Sequence, residues 1–374
     1  MTIRSVSTST PRQRLSEALI SSVLVRRTPT AAIDLSDAVV DWMATVRRAN
    51  GDFVGPALSQ AFSDLGIADA LPADVRDYLQ MLHTENARCN VEIRRQCDEI
   101  GSALAAVGVQ GVLLKGAAWF YDAGPAVTDR MVRDIDLLVD RRRADTVRIA
   151  LRERGYRDVP NLIREPGHIH EAPMATPNGL VNVEVHYELA TRTSLLPAVE
   201  VLGDGRPVAR GLAIPSPTHR LAHAVIHAEI VNGDYFGGTV SLRDSLDVSR
   251  LVVAYSDEIN WQALVDTARA RGFYPMLSGA LHKASQFTGA PLPDVFADDI
   301  RGRRHAVRCL FQRRWPALEG GMRRLGVLRR ALAWQRDSYA LGLGDERGFY
   351  AHLQVNRRRI DRIRSMLARS LKGA

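Results

Sequence analysis

Apolar and polar positions follow a helical period over most of the chain and break from it in one central stretch. Residues 1–34 hold Ser and Thr clusters with little periodicity and read as a mobile arm with one short helix at 12–25. From residue 36, Val39, Val40, Met43 and Val46 share a helical face, and Asn50-Gly51-Asp52 stops it. Two further helices are predicted at 56–67 and 73–107. The second carries Leu79, Leu82, Ile93, Ile100 and Leu104 at near-heptad spacing, with Gly108 just past its end.

The period then changes. Residues 111–114 are wholly apolar, as in a buried strand, and lead into a Lys115-Gly116 corner and a short helix. A second apolar strand follows, carrying Asp134 and Asp136. Successive strand side chains point to opposite faces, so these two carboxylates project the same way, while Ile135, Leu137 and Val139 enter the other layer. A helix at 144–154 closes on Gly155-Tyr156, and Pro166, Pro173 and Pro177 make 160–178 a loop with a short strand. Residues 180–189 form the third clear strand, with Asn182, Glu184, His186 and Glu188 on one face and Val181, Val183, Val185 and Tyr187 on the other.

Beyond Ser216-Pro217-Thr218, a helix entry, the pattern is helical again. Helices are expected at 241–254, 261–272 and 275–287. Pro291-Leu292-Pro293 marks a boundary, and amphipathic segments follow at 307–318, 322–334 and 349–371. The fold class is therefore α+β: a small mixed sheet flanked by N-terminal and C-terminal helical regions. The expected divisions are an arm (1–34), a helical cap (35–108), an α/β core (109–215), a helical region packing on that core (216–295) and a basic helical region (296–374).

Composition adds where the chain acts. Apolar content of 46% and charged content of 25% over 374 residues suit a soluble globular protein. With no signal-like N-terminus and no long apolar run, the expected location is the cytoplasm. Cys89, Cys97 and Cys309 have no metal-ligand spacing and are expected to be free thiols. The net charge of +8 is concentrated in residues 301–374, which hold 19 Lys and Arg against 5 Asp and Glu. Lysine occurs only at 115, 283 and 372, so its use at 115, in an arginine-rich chain, suggests a compact point charge.

The candidate chemistry lies on the three strands. Two like charges on one apolar strand repel, and a divalent cation removes that repulsion. Asp134 and Asp136 with Glu184 are the expected ligands of Mg²⁺ or Mn²⁺, bridging a nucleoside triphosphate to an attacking oxygen. Lys115 and the backbone amides after Gly116 would meet phosphates. Arg130 and Arg133 would add charge toward a leaving pyrophosphate, and His186 would contact substrate or orient Glu184. His168 and His170, and the spaced set His219, His223 and His227, are read mainly as solvated or packing histidines.

Several of these motifs together resemble a known family. Leu114-Lys115-Gly116-Ala117-Ala118, then Arg130 with Asp134-Ile135-Asp136-Leu137-Leu138-Val139, then Gly155-Tyr156, is similar to the bacterial uncharacterised nucleotidyltransferases of the polymerase beta-like superfamily. The likeness continues in Val183-Glu184-Val185-His186-Tyr187, His223 with His227, and Leu242-Arg243-Asp244 with Asp247, and spans about residues 75–290. The resemblance implies a sheet with helices on one face, an NTP, ATP foremost, bound with Mg²⁺, and transfer of a nucleoside monophosphate to a small-molecule, sugar or peptide acceptor in a biosynthetic setting. It assigns metal binding to Asp134 and Asp136, with Glu184 as third carboxylate and base. Tyr187-Glu188 departs from the family's frequent Trp-Arg, and the basic C-terminal region lies outside the match. Two alternatives stand beside this: nucleic-acid or polyanion binding through the arginine-rich region, and a core that binds nucleotide as a regulator without transferring it.

Overall fold

The computed structural model describes residues 40–122, 128–159 and 169–313, with isolated positions at 20 and between 315 and 326. The expected arm at 1–34 and the amphipathic stretches at 322–334 and 349–371 lie outside the described residues, those isolated positions apart.

Helix α1 (Trp42–Gly51) starts where the Asp41 carboxylate accepts from the Ala44 amide, a side-chain N-cap. Helix α2 (Gly55–Asp64) has Pro56 in its first turn. Helix α3 (Ala73–Ala106) runs for 34 residues and ends before Gly108, whose φ of +65° suits glycine at a helix stop. Its buried face is not wholly apolar. The Asn86 and Asn90 amides donate to the Arg130 carbonyl, and Asn86 also to that of Thr128. The long helix thus holds the approach to the Asp134 strand through paired backbone carbonyls that burial would otherwise leave unsatisfied.

Seven strands form one mixed sheet in the order β3-β4-β5-β2-β1-β7-β6. They are β1 (Gly111–Leu113), β2 (Asp134–Leu138), β3 (Arg157–Asp158), β4 (Met174–Ala175), β5 (Asn182–His186), β6 (Arg206–Ala209) and β7 (Leu212–Ile214). Between β1 and β2 lies the one-turn helix α4 (Lys115–Ala118), between β2 and β3 lies α5 (Ala144–Glu153), and between β5 and β6 lies α6 (Ala198–Gly203). The central strand β2 pairs antiparallel with β1 and parallel with β5. The hairpin β6–β7 turns at Gly211 (φ +71°), and β7 joins β1 in parallel. Sequence periodicity misses this hairpin because three apolar residues are too few to show alternation. The third strand is also shorter than its pattern, since the Tyr187 and Glu188 amides leave the ladder to bond the Ile169 carbonyl.

Helices cover both faces of the sheet, where the resemblance implied one. Leu113, Ile135, Leu137, Val139, Val183 and Val185 pack with Ile93, Ile100 and Leu104 of α3 and Val147 of α5. Val112, Leu114, Leu138 and Ala213 point the other way, into a second core. That core is built with α7 (Pro217–Val225), α9 (Leu242–Tyr255), α10 (Trp261–Arg271) and α11 (Tyr274–Thr288), a short α8 (Asp234–Gly237) lying between α7 and α9. The reason is legible in β1: consecutive residues Val112, Leu113 and Leu114 are all buried, as a strand covered on both sides requires. A third core joins α1, α2 and the start of α3 to Leu242, Phe287 and Cys309, the last on α12 (Ile300–Arg313). Cys89, Cys97 and Cys309 are free thiols. Among the described residues no helix is long and apolar enough to cross a membrane.

Candidate active site

The parallel pairing of β2 with β5 sets Asp136 beside Glu184 and Leu138 beside His186. Neighbours in register share a face, so Asp134, Asp136, Glu184 and His186 lie on the same side of the sheet, the side covered by the helices after residue 216. Asp136 is 1% exposed, and its Oδ1 accepts from Lys115 Nζ at 2.7 Å and from His186 Nε2 at 2.8 Å. Glu184 Oε2 lies 3.4 Å from the same His186 nitrogen.

Lys115 reaches Asp136 through an unusual backbone. It follows the end of β1 with φ +45°, a left-handed value that costs a side-chain-bearing residue on the order of 1 kcal/mol. The Leu114 amide bonds the Asp136 carbonyl at 2.9 Å, so the turn at 115 carries the lysine directly onto β2.

These charges set one another. Burial resists ionisation of Asp136, but the Lys115 ammonium and the His186 hydrogen bond outweigh it and hold the carboxyl well below its usual range. Burial likewise opposes charge on Lys115 and on His186, and in both the adjacent carboxylates prevail and raise proton affinity. The His186 hydrogen bond lowers Glu184 against its partial burial. Asp134 moves the other way: burial, then the charge of Asp136, raises its proton affinity. Among the described residues no hydrogen-bond donor meets the Asp134 carboxylate.

One oxygen is left over. Asp136 Oδ2 is buried without a hydrogen-bond partner, and ligand atoms of Asp136, Glu184 and His186 all lie within 4.8 Å of one another. A buried, unpartnered carboxylate oxygen beside a second carboxylate and an imidazole fits a metal ion.

The other expected residues are placed differently. Arg130 is buried, and its guanidinium is engaged by Asp247 on α9 at 2.7 Å and by the Met131 carbonyl at 2.6 Å. It is a cation already paired. Gly116 is explained by it, because a Cβ there would stand 2.8 Å from Arg130 Nη1. Arg133 is exposed, with its guanidinium 4.7 Å from the centre of the Phe53 ring.

A cleft opens from Lys115 toward α7 and α9, lined by Trp119, Arg130, Arg220, His223, His227 and Arg243. The sequence reading treats His223 and His227 as packing residues, and the structure puts both in this lining. Four residues apart, they share a helical face, and α7 continues past His223 as a π-helical turn over Ile226–Val231, a form often found at functional sites. Burial, then the Lys115 charge, holds His223 well below its usual value and His227 down to about 3, so both are neutral imidazoles. Spacing of the two histidines was the available signal. Arg220 pairs with Asp122 at 3.0 Å and lies over the Trp119 ring, a contact that no pattern in the sequence announces. His219 sits apart, its Nδ1 3.1 Å from Asp204. His170 stands near Glu184, Nε2 to Oε2 3.9 Å, while His168 lies outside the described residues.

An α+β fold with a mixed sheet, and on its central strands an Asp–Glu–His group able to bind metal, defines the structural class. The family model described as uncharacterised nucleotidyltransferase matches residues 38–289, and the chain belongs to that family. Searches of curated proteins and of solved structures return no match.

Proposed function

We propose that the protein is a metal-dependent nucleotidyltransferase of the polymerase beta-like type. It would move a nucleoside monophosphate from an NTP, ATP foremost, to a hydroxyl or comparable nucleophile of a small-molecule, sugar or peptide acceptor. The observation that carries this reading is the Asp136–Glu184 register, with Asp134 on the same face and Lys115 fixed on Asp136. Asp134, Asp136 and Glu184 would hold Mg²⁺ or Mn²⁺, which when bound neutralises triphosphate charge and polarises the α-phosphoryl group.

The residues divide the remaining work. Lys115 offsets the carboxylate charge, so that a polyanion approaching Asp134 and Asp136 meets less repulsion. The acceptor oxygen forms its bond to the α-phosphorus as the bond to the bridging oxygen breaks, and pyrophosphate leaves with that electron pair. The acceptor's proton goes to a carboxylate. Glu184, the one of the three carboxylates that lies on β5, in register with Asp136, is the expected acceptor of that proton. Neutral His223 and His227 line the cleft without adding charge that would compete for the triphosphate.

The test is calorimetric. Titration of each NTP into protein with and without a divalent ion should give binding only with the ion, and Asp134→Ala with Asp136→Ala should abolish it. Unchanged binding in that double variant would remove the proposed site.

A further inference from the structure

Nitrogen stands among the donors at Asp136, which a purely carboxylate Mg²⁺ site does not need. His186 Nε2 lies 2.8 Å from Asp136 Oδ1 and 3.4 Å from Glu184 Oε2. Neighbouring ligands of one small dication with bonds of about 2.1 Å are separated by roughly 3–3.5 Å, and ligand atoms of the three residues lie within 4.8 Å of one another, so small side-chain shifts bring them around one ion. They sit on two strands whose register is fixed by the ladder, a rigid base for such a set. Asp136 Oδ2 supplies an independent sign, being buried and unpartnered beside them.

A second imidazole extends the set. His170 pairs with His186 in a backbone bridge, and their rings are 4.9 Å apart. Its Nδ1 is 2.7 Å from the Glu171 carbonyl oxygen, which can only accept, so Nδ1 carries the proton. In the neutral ring the lone pair is then on Nε2, 3.9 Å from Glu184 Oε2, the tautomer in which ligating histidines are held.

We infer that the metal centre is a mixed nitrogen–oxygen site, with His186 Nε2, its proton released to solvent as the ion displaces the hydrogen bond to Asp136, a ligand beside Asp136 and Glu184 and with His170 next to them, and that it selects a first-row transition-metal dication such as Mn²⁺ over Mg²⁺. Imidazole suits the later first-row dications best, and Mn²⁺, the lowest of that series, still accepts it, whereas Mg²⁺ prefers oxygen and retained water. The inference rests on the metal-dependent reading above and specifies its metal.

The full chain, stripped with a chelator, is titrated with Mn²⁺ and with Mg²⁺ by calorimetry, and the Mn²⁺ form is examined by electron spin-echo modulation. The expected results are Mn²⁺ binding at least ~10-fold tighter than Mg²⁺ and modulation from a directly bound nitrogen. His186→Gln should remove the modulation and weaken Mn²⁺ by about 10–100-fold, with a smaller loss for His170→Ala. Mn²⁺ bound without nitrogen modulation would overturn the inference and leave an oxygen-only nucleotidyltransferase site standing. Failure of the wild-type chain to bind either ion would overturn both. The wild-type spectrum decides the matter even where a variant does not fold.

Discussion

Asp136 is the residue on which the site turns, because it is buried, ionised and shared by Lys115 and His186. Asp136→Asn keeps the shape but removes the charge both cations face, so metal-dependent NTP binding should fall at least ~100-fold. Folding stability should drop by about 3–5 kcal/mol, the usual cost of breaking a buried pair. Urea unfolding beside NTP calorimetry measures the two effects, and a fully active, equally stable variant would contradict the description. Gly116→Ala tests a smaller claim. Its Cβ would press on Arg130, and a loss of roughly 1–3 kcal/mol is expected from that overpacking. Thermal unfolding of this variant at the wild-type midpoint would show that Arg130 has room to move. At this scale the sequence was most informative about carboxylates, since strand alternation alone places Asp134 and Asp136 on one face. Arg130 was legible as a residue near the site but not as a paired one, because Asp247 lies 117 positions away. Lys115 was legible by its rarity, while its left-handed backbone was not.

Among elements, the seam between α9 and the segment leading into β2 rests on the Arg130–Asp247 pair, both side chains largely buried. Arg130→Met leaves buried Asp247 without its hydrogen-bonded partner, with only the more distant Arg250 and Arg243 charges to offset it, and should cost about 3 kcal/mol. Adding Asp247→Leu should recover most of that loss, since two apolar groups need no partner. A double-mutant cycle in urea reads the coupling, and simple additivity would show that the pair does not hold the seam. Helix boundaries were readable within a few residues because caps such as Ser216-Pro217 and stops such as Gly108 are local chemistry. The β6–β7 hairpin and the π-helical turn at Ile226–Val231 were not. The first is too short for a period, and the second has no local sequence signal comparable to a cap or a stop.

For the whole molecule, buried histidines set its behaviour in acid. His227 and His305 are each lowered to about 3, chiefly by burial, and burial also holds His223 well below its ordinary value. The unfolded chain binds protons at these residues near the ordinary value of about 6.5, so it gains protons before the folded chain does. The contribution of these three residues is therefore complete above pH ~6.5 and falls as the pH drops toward 3, by up to about 1.4 kcal/mol per pH unit for each histidine, whereas His186, raised by its carboxylate partners, contributes in the opposite sense. His305→Gln should flatten that limb by about one proton in urea titrations between pH 6.5 and 4, and an unchanged slope would contradict the assignment. The basic C-terminal region poses a separate question of scale. Helix α12 buries Cys309 in the third core, and Arg313 reaches Asp52 at 2.8 Å, so a truncation must spare it. Removal of residues 331–374 should leave NTP binding unchanged if the strands carry the function, and should abolish it if polyanion binding by that region is the activity.

The most direct measurement follows the phosphorus. Protein, divalent metal and a cell extract are incubated in parallel with NTP labelled at the α- or the γ-phosphorus, using wild type and Asp136→Asn. Nucleotidyl transfer predicts α-label in a new adduct, γ-label in pyrophosphate, and neither with the variant. Gamma-label in the adduct, or equal transfer by wild type and variant, would contradict it.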